Sequence, residues 1–107
     1  MILYGIPTCD TCRKAKKALE AAGHAVTLRD VRAAPLSEAE IAEFIAAFGD
    51  RLVNRASTTW RGLPEAERAE PAPVLLARHP ALMKRPVIRG AALTLGWDKT
   101  AQAAQGL

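Results

Sequence analysis

The first 30 residues contain an apolar strand, an amphipathic helix and a second apolar strand, and this order constrains the fold more than any other feature. Residues 2–4 are a short apolar run that ends at Gly5 and Pro7, and residues 25–28 predict the second strand. Between them, four apolar residues recur at i, i+3, i+4 and i+7, namely Ala15, Ala18, Leu19 and Ala22. Two strands joined through a helix run parallel, with a right-handed crossover.

The next helix is marked at both of its ends. Ser37 and Glu40 have the spacing of a capping box, and Gly49 supplies a stop signal. Between these signals the apolar residues form one stripe, made of Ile41, Phe44, Ile45 and Phe48. This pattern predicts an amphipathic helix with one buried face.

The rest of the chain predicts short helices, a hairpin and a last helix. One helix starts near residues 63–65, and another contains residues 74–76 and stops before Pro80. Residues 86–95 predict a hairpin with a turn at residue 90, and residues 98–105 predict the last helix. The order predicts an α/β fold with a mixed four-stranded sheet. This is a thioredoxin-like β-α-β plus β-β-α core with a helical insert, in a single domain over residues 1–107.

Bulk properties are those of a globular chain. Of the 107 residues, half are apolar and 24% are charged, and the net charge of +4 favours anionic partners without selecting one. The N-terminal residues lack the basic and apolar regions of a signal peptide, and no apolar run approaches membrane-spanning length. We therefore expect a cytoplasmic protein with no membrane partner.

Two cysteines lie where the first strand gives way to the first helix. Cys9 is expected at the helix N-terminus, where unpaired N–H groups and the helix dipole stabilise a thiolate. Cys12 is expected one turn inside, close enough to form a disulfide with Cys9 and to resolve a mixed disulfide. The carboxylate of Asp10 would oppose ionisation of Cys9. The pair predicts a nucleophilic thiol at Cys9.

Other interpretations of these residues carry less weight. Structural zinc needs four ligands, and His24 and His79 lack the spacing that would complete a site, so we predict no metal. Cations in the first half of the helix can support a thiolate or attract an anion, as we expect for Arg13. Lys16 and Lys17 are assigned to an ordinary solvated face.

Four segments resemble one known family in order and spacing. Residues 4–15 (YGIPTCDTCRKA) resemble the start of the ArsC/Spx family, especially its YffB-like branch. Within residues 54–63, Asn54-Arg55 followed by residues 58–63 (TTWRGL) resembles the middle motif of that branch. Residues 79–87 (HPALMKRPV) resemble the family's H-P-x-L-x-x-R-P-I/V, and residues 95–97 its closing L-G-F/W. The resemblance covers nearly the whole chain.

The resemblance implies a thioredoxin-like fold with a helical insert and a nucleophilic cysteine at Cys9, with Cys12 as its partner. It implies no bound cofactor, glutathione or glutaredoxin as the reductant, and a cis peptide bond before Pro86. The implied partners are glutathione or a small anionic substrate, and we expect no direct binding of nucleic acid. An arginine directly before that proline belongs to the family's anion site. The implied anion-binding set is Thr8, Arg13, Arg61, Arg85 and Pro86.

Three functions compete at this stage. The first is a glutathione-linked thiol oxidoreductase, in which either Cys12 or an external thiol resolves the intermediate. The second is an Spx-like regulator that binds RNA polymerase and senses oxidation, although the chain ends at Leu107 without the longer basic tail of Spx. The third is a true arsenate reductase. Residues 92–97 lack the further arginine that glutathione-dependent arsenate reductases carry, which argues against arsenate as substrate.

Overall fold

The computed structural model describes all 107 residues, which form two compact units. The first unit contains Met1–Ala34 and Arg85–Leu107. The second unit contains Pro35–Lys84, the segment predicted as the helical insert. The expectation of one domain stays a prediction. No helix of the chain is long and apolar enough to cross a membrane.

A mixed four-stranded sheet forms the centre of the first unit. Its strands are β1 (Ile2–Gly5), β2 (Thr27–Asp30), β3 (Val87–Arg89) and β4 (Leu93–Leu95), in the order β2-β1-β3-β4. Strand β1 pairs parallel with β2 and antiparallel with β3, and β3 pairs antiparallel with β4. The predicted fold class is confirmed.

Helices α1 (Asp10–Ala21) and α6 (Lys99–Ala104) complete the first unit. The buried face of α1 contains Cys12, Ala15 and Leu19, whereas Ala18 of the predicted stripe is half-buried and Ala22, the C-cap residue, is exposed. The Asp98 side chain caps α6 by accepting a hydrogen bond from the Ala101 N–H at 2.8 Å. The buried cluster at the centre of this unit contains Leu3, Cys12, Ala15, Leu19 and Ile88.

The predicted bounds of the second strand were wrong by two residues. The structure has β2 at Thr27–Asp30, in register with β1 from Ile2 opposite Thr27 to Gly5 opposite Asp30. The prediction followed the apolar residues from Ala25. Strand β2 lies at an edge of the sheet, where charged side chains are tolerated, so its hydrogen-bonding partner sets its bounds.

The second unit is helical, and the helix with the clearest start and stop signals in the sequence was predicted correctly. Helix α2 is capped by Ser37, whose Oγ accepts a hydrogen bond from the Glu40 N–H at 3.1 Å. The Glu40 carboxylate accepts one from the Ser37 N–H at 2.8 Å, which completes the capping box. Gly49 follows the helix with φ of 60°, a conformation that favours glycine. The helices are α2 (Glu38–Phe48), α3 (Thr58–Arg61), α4 (Glu65–Arg68) and α5 (Ala72–Arg78), with 3₁₀ turns at Gly49–Leu52 and Pro80–Leu82.

The apolar stripe of α2 is only partly buried. Ile41 and Phe44 are buried, whereas Ile45 and Phe48 are half-buried. The other buried apolar residues of this unit are Leu52, Val53, Leu63, Leu75, Leu76, Leu82 and Met83. Helix α3 and the two 3₁₀ turns were not predicted.

Candidate thiol active site

The topology of the sheet brings Cys9 and Arg85 together although they are far apart in sequence. Cys9 follows the C-terminal end of β1, and Arg85 precedes the first residue of β3. Because β1 and β3 run antiparallel, the end of one strand lies beside the start of the other. The Arg85 guanidinium hydrogen-bonds the Cys9 sulfur there.

Cys9 is the N-cap residue of α1, as the sequence predicted. Its backbone is extended, with φ of −79° and ψ of 119°. Its N–H donates to the Ile6 carbonyl at 3.0 Å, and its carbonyl accepts from the Arg13 N–H at 3.0 Å. The side chain is half-buried. The thiol therefore stands at the positive end of the helix, where free N–H groups can reach its sulfur.

The surroundings of Cys9 favour its thiolate. Burial alone would raise the pKa of Cys9, since it penalises the charged form. Hydrogen bonds from the Cys12 N–H, the Cys12 thiol and the Arg85 guanidinium, together with the charge of Arg85, outweigh burial. The pKa of Cys9 is consequently lower than its ordinary value, which increases the thiolate fraction near neutral pH.

Cys12 has the opposite character. It is 1% exposed and lies within the buried cluster of the first unit. Burial raises the pKa of Cys12 to about 11, although the Ile6 N–H donates a hydrogen bond to its sulfur. Both cysteines are free thiols in this structure. Cys12 is thus a buried, protonated thiol beside a more acidic one.

Gly5 is a site residue that the sequence analysis missed. A Cβ at Gly5 would lie 2.4 Å from the Cys12 Sγ, a distance that real Cβ atoms do not adopt. From the sequence, Gly5 was expected only to end the first strand. A glycine in the last strand position before a C-x-x-C turn, facing the following helix, is the signal that could have found it.

Arg85 and Pro86 lie at the start of the hairpin that carries β3 and β4. The Arg85–Pro86 peptide bond is cis, which confirms that expectation. Arg85 is half-buried and Pro86 is buried. The Pro86 carbonyl accepts a hydrogen bond from the Gly96 N–H at 2.8 Å, which anchors the segment to the residue after β4. The backbone is therefore fixed directly after Arg85.

The remaining predicted anion contacts lie in exposed positions. Thr8 is exposed in the turn before Cys9. Arg13 is exposed, and its guanidinium binds the Asp10 carboxylate at 2.8 Å. The carboxylate expected to oppose ionisation of Cys9 is thus held by a neighbouring cation. Arg61 is exposed in α3 of the second unit, where its role as an anion contact stays a prediction.

No group of three or more His, Cys, Asp and Glu residues lies in a position to hold a metal ion. His24 lies in the first unit, after α1. His79 lies in the second unit, where its Nε2 hydrogen-bonds the Glu67 carboxylate.

A half-buried thiol at the N-cap of the first helix, beside an arginine and a cis-proline, defines a thiol protein with the thioredoxin-like fold. The chain belongs to the ArsC family, whose model matches residues 4–104. It is similar to a solved YffB protein at 34% identity and a TM-score of 0.88, with 97% of this chain and 96% of that chain covered. These findings place it in the YffB-like branch.

Other known proteins are similar in sequence or share the fold. An arsenate reductase (ArsC) related protein from Brucella melitensis is 34% identical, with a TM-score of 0.72 over 96% of this chain and 91% of that one. An uncharacterised protein of Haemophilus influenzae is 40% identical over 91 residues, 80% of each chain. An arsenate reductase from Vibrio cholerae shares the fold at 19% identity, with a TM-score of 0.72 over 88% of this chain and 86% of that one.

Proposed function

We propose that this chain is a thiol-dependent reductase that works with glutathione and uses Cys9 as its nucleophile. The observation that carries the proposal is the environment of Cys9. A helix N-terminus, a neighbouring thiol and an arginine together lower the pKa of Cys9 against the effect of burial. A thiolate is the form of cysteine that attacks a disulfide.

The proposed reaction is the reduction of a mixed disulfide between glutathione and a substrate thiol. The Cys9 thiolate attacks the glutathione sulfur, the substrate's S–S bond breaks, and the substrate sulfur leaves as a thiolate that takes up a proton. Cys9 then carries glutathione in a new disulfide. A second glutathione, as thiolate, attacks that glutathione sulfur, releases Cys9 as thiolate and leaves as oxidised glutathione. Overall, the mixed disulfide and one glutathione thiol give the free substrate thiol and oxidised glutathione; the proton that this glutathione loses balances the one that the substrate takes up, and the protein returns unchanged.

Arg85 is proposed to bind a carboxylate of glutathione beside Cys9. A guanidinium stays charged at any working pH, and its planar fork matches a carboxylate with two hydrogen bonds. Arg85 already reaches the Cys9 sulfur, so an anionic group that it binds would lie near the reacting atoms. The same guanidinium would also stabilise the Cys9 thiolate once it leaves in the second step.

External glutathione is proposed to resolve the intermediate. Burial is the largest cause of the raised pKa of Cys12 and would persist when Cys9 carries glutathione, so the Cys12 thiolate is scarce at neutral pH. Cys12 is also buried at 1% exposure, so its attack on Cys9 would need both ionisation and movement of the helix. A glutathione thiol in solution has an ordinary pKa of about 8.5, so it ionises more readily than Cys12, and its attack needs no movement of the helix. Glutaredoxin could supply the same thiol chemistry in place of free glutathione.

Family membership supports this proposal at a coarser level. The ArsC family and its arsenate-reductase-related members favour a thiol-dependent reductase role. Residues 92–97, which include strand β4, contain no further arginine that could bind an oxyanion such as arsenate. We therefore propose a glutathione disulfide as the substrate.

Turnover by the Cys12→Ser variant tests the proposal. This variant cannot form an internal disulfide, but its hydroxyl can still donate a hydrogen bond to Cys9. We expect catalytic amounts of both proteins to reduce a glutathionylated peptide over many turnovers, with the variant retaining most of the rate. The measurement is release of oxidised glutathione, with melting temperature as the folding control.

Two outcomes would contradict parts of this account. A folded Cys12→Ser protein that stops after one turnover would show that Cys12 resolves the intermediate. A wild-type protein that reacts only once per molecule, with excess glutathione present, would contradict an enzymatic role and favour a redox-switched binding protein.

A further inference from the structure

Gly5 makes room for the sulfur of Cys12. A Cβ built on Gly5 would lie 2.4 Å from the Cys12 Sγ, 3.1 Å from a Leu3 methyl carbon and 3.3 Å from the Cys12 Cβ. Gly5 is the last residue of β1 and its φ is not positive. The backbone conformation at position 5 is therefore open to any residue. Glycine is required there because the Cys12 sulfur occupies the space that a side chain would need.

The Cys12 sulfur has little room to move if a larger residue replaces Gly5. Cys12 is 1% exposed and is packed among Leu3, Ala15, Leu19 and Ile88. Its Sγ also accepts a hydrogen bond from the Ile6 N–H, directly after Gly5 in the chain. An alanine at position 5 would have to rotate the Cys12 side chain or push helix α1 away from the sheet, since cores pack without spare volume.

The position of this sulfur matters for Cys9. Two titratable or charged side chains act on the Cys9 thiol, those of Arg85 and Cys12, and the Asp10 carboxylate next to it is bound by Arg13. The Cys12 thiol donates a hydrogen bond to the Cys9 sulfur from its place against β1. A change of the Cys12 rotamer would break that bond and leave Arg85 as the one side chain that stabilises the thiolate.

We propose that Gly5 is a positioning residue of the thiol site. Because Gly5 has no side chain, the Cys12 Sγ can lie against strand β1, in the place from which Cys12 hydrogen-bonds Cys9. Gly5 acts through Cys12 and does not touch the substrate. The proposal rests on the function proposed above and deepens it, because it assigns the acidity of the Cys9 nucleophile in part to a backbone contact in the neighbouring strand.

The test is the pH dependence of Cys9 alkylation by iodoacetamide, followed by peptide mass spectrometry. Four proteins are compared: wild type, Gly5→Ala, Cys12→Ala and the double variant. Each single variant should move the midpoint to higher pH by roughly one unit, the size expected for one lost hydrogen bond to a charged group. The double variant should match Cys12→Ala, because alanine at position 12 has no sulfur for the new methyl group to strike.

Gly90→Ala is the matched control. A Cβ at Gly90 would lie 2.6 Å from the Gln105 Oε1 and 2.6 Å from the Met1 Cε, so neighbouring atoms would have to shift there too, although both are ends of flexible side chains. Gly90 lies beyond the far end of β3, away from the strand end at which Arg85 and Cys9 meet. This variant should lower the melting temperature and leave the midpoint for Cys9 unchanged.

Several outcomes would overturn the proposal. An unchanged midpoint in folded Gly5→Ala would do so, as would a further shift when Gly5→Ala is added to Cys12→Ala. If Gly5→Ala does not fold, the double variant should regain the fold, and failure to regain it would count against the contact. Alkylation needs neither glutathione nor a disulfide substrate, so these results are independent of whether the chain proves to be a reductase.

Discussion

Replacing Cys9 by serine should lower the rate of disulfide reduction by about 10⁴-fold or more, the scale seen when a covalent nucleophile is removed. A serine hydroxyl is not ionised near neutral pH and cannot form the mixed disulfide on which the reaction depends. The fold should not suffer. Position 9 is the N-cap of α1, where serine is a preferred residue.

The measurement is turnover of a glutathionylated peptide by Cys9→Ser and wild type, with a melting curve for each. We expect the melting temperature of the variant to be equal or higher, so that lost activity cannot be attributed to unfolding. Substantial turnover by Cys9→Ser would contradict the assignment and leave Cys12 as the alternative nucleophile.

Replacing Arg85 by alanine should have two separable effects. Loss of its hydrogen bond and charge should raise the pKa of Cys9, so that alkylation by iodoacetamide requires higher pH. Loss of its guanidinium should also weaken binding of glutathione by roughly 2–5 kcal/mol, the cost of removing one partner of a desolvated charge pair. Arg85→Lys should recover part of both effects, because an ammonium keeps the charge and loses the fork.

The matched control for Arg85 is Lys17→Ala, which removes one positive charge from an exposed position of α1. It should change neither the pH midpoint nor the affinity, because an exposed charge is screened by water and salt. Glutathione affinity is measured by calorimetry and the midpoint by alkylation. Unchanged values in folded Arg85→Ala would remove Arg85 from the site and make Arg61 the next candidate.

Local sequence signals were sufficient to predict much of the fold. The capping box at Ser37 and Glu40 predicted the start of α2, because both hydrogen bonds form within four residues of chain. The apolar spacing of α1 correctly predicted Ala15 and Leu19 on its buried face for the same reason, whereas Ala22 is exposed at the C-cap. The mixed sheet followed from the order of strands and helices, since a helical crossover and a hairpin each allow one strand direction.

Features that depend on distant partners were missed. Strand β2 takes its bounds from its pairing with β1, and the apolar run at residues 25–28 does not report that register. Helix α3 is a single turn capped by Ser57, whose Oγ accepts from the Trp60 N–H at 3.1 Å. One turn of helix leaves no repeating apolar pattern in the sequence.

In the candidate site, too, local features could be predicted from the sequence and contacts between distant residues could not. Cys9 could be placed at a helix N-terminus because a strand, a turn and a helix follow one another in sequence. Arg85 reaches the Cys9 sulfur because β1 pairs antiparallel with β3. No local pattern in the sequence indicates this pairing, and only the family resemblance placed Arg85 in the site. The contact of Gly5 with Cys12 depends on how closely α1 packs on the sheet.

Mass spectrometry of the reduced protein after mixing with oxidised glutathione tests the central claim most directly. The account predicts one glutathionyl group on Cys9 and a free thiol on Cys12, because the thiolate is favoured at Cys9 and Cys12 is buried and protonated. Addition of reduced glutathione should then remove the group. A folded protein that acquires the group on Cys12, or that keeps both thiols free, would contradict Cys9 as the nucleophile of a glutathione-linked reductase.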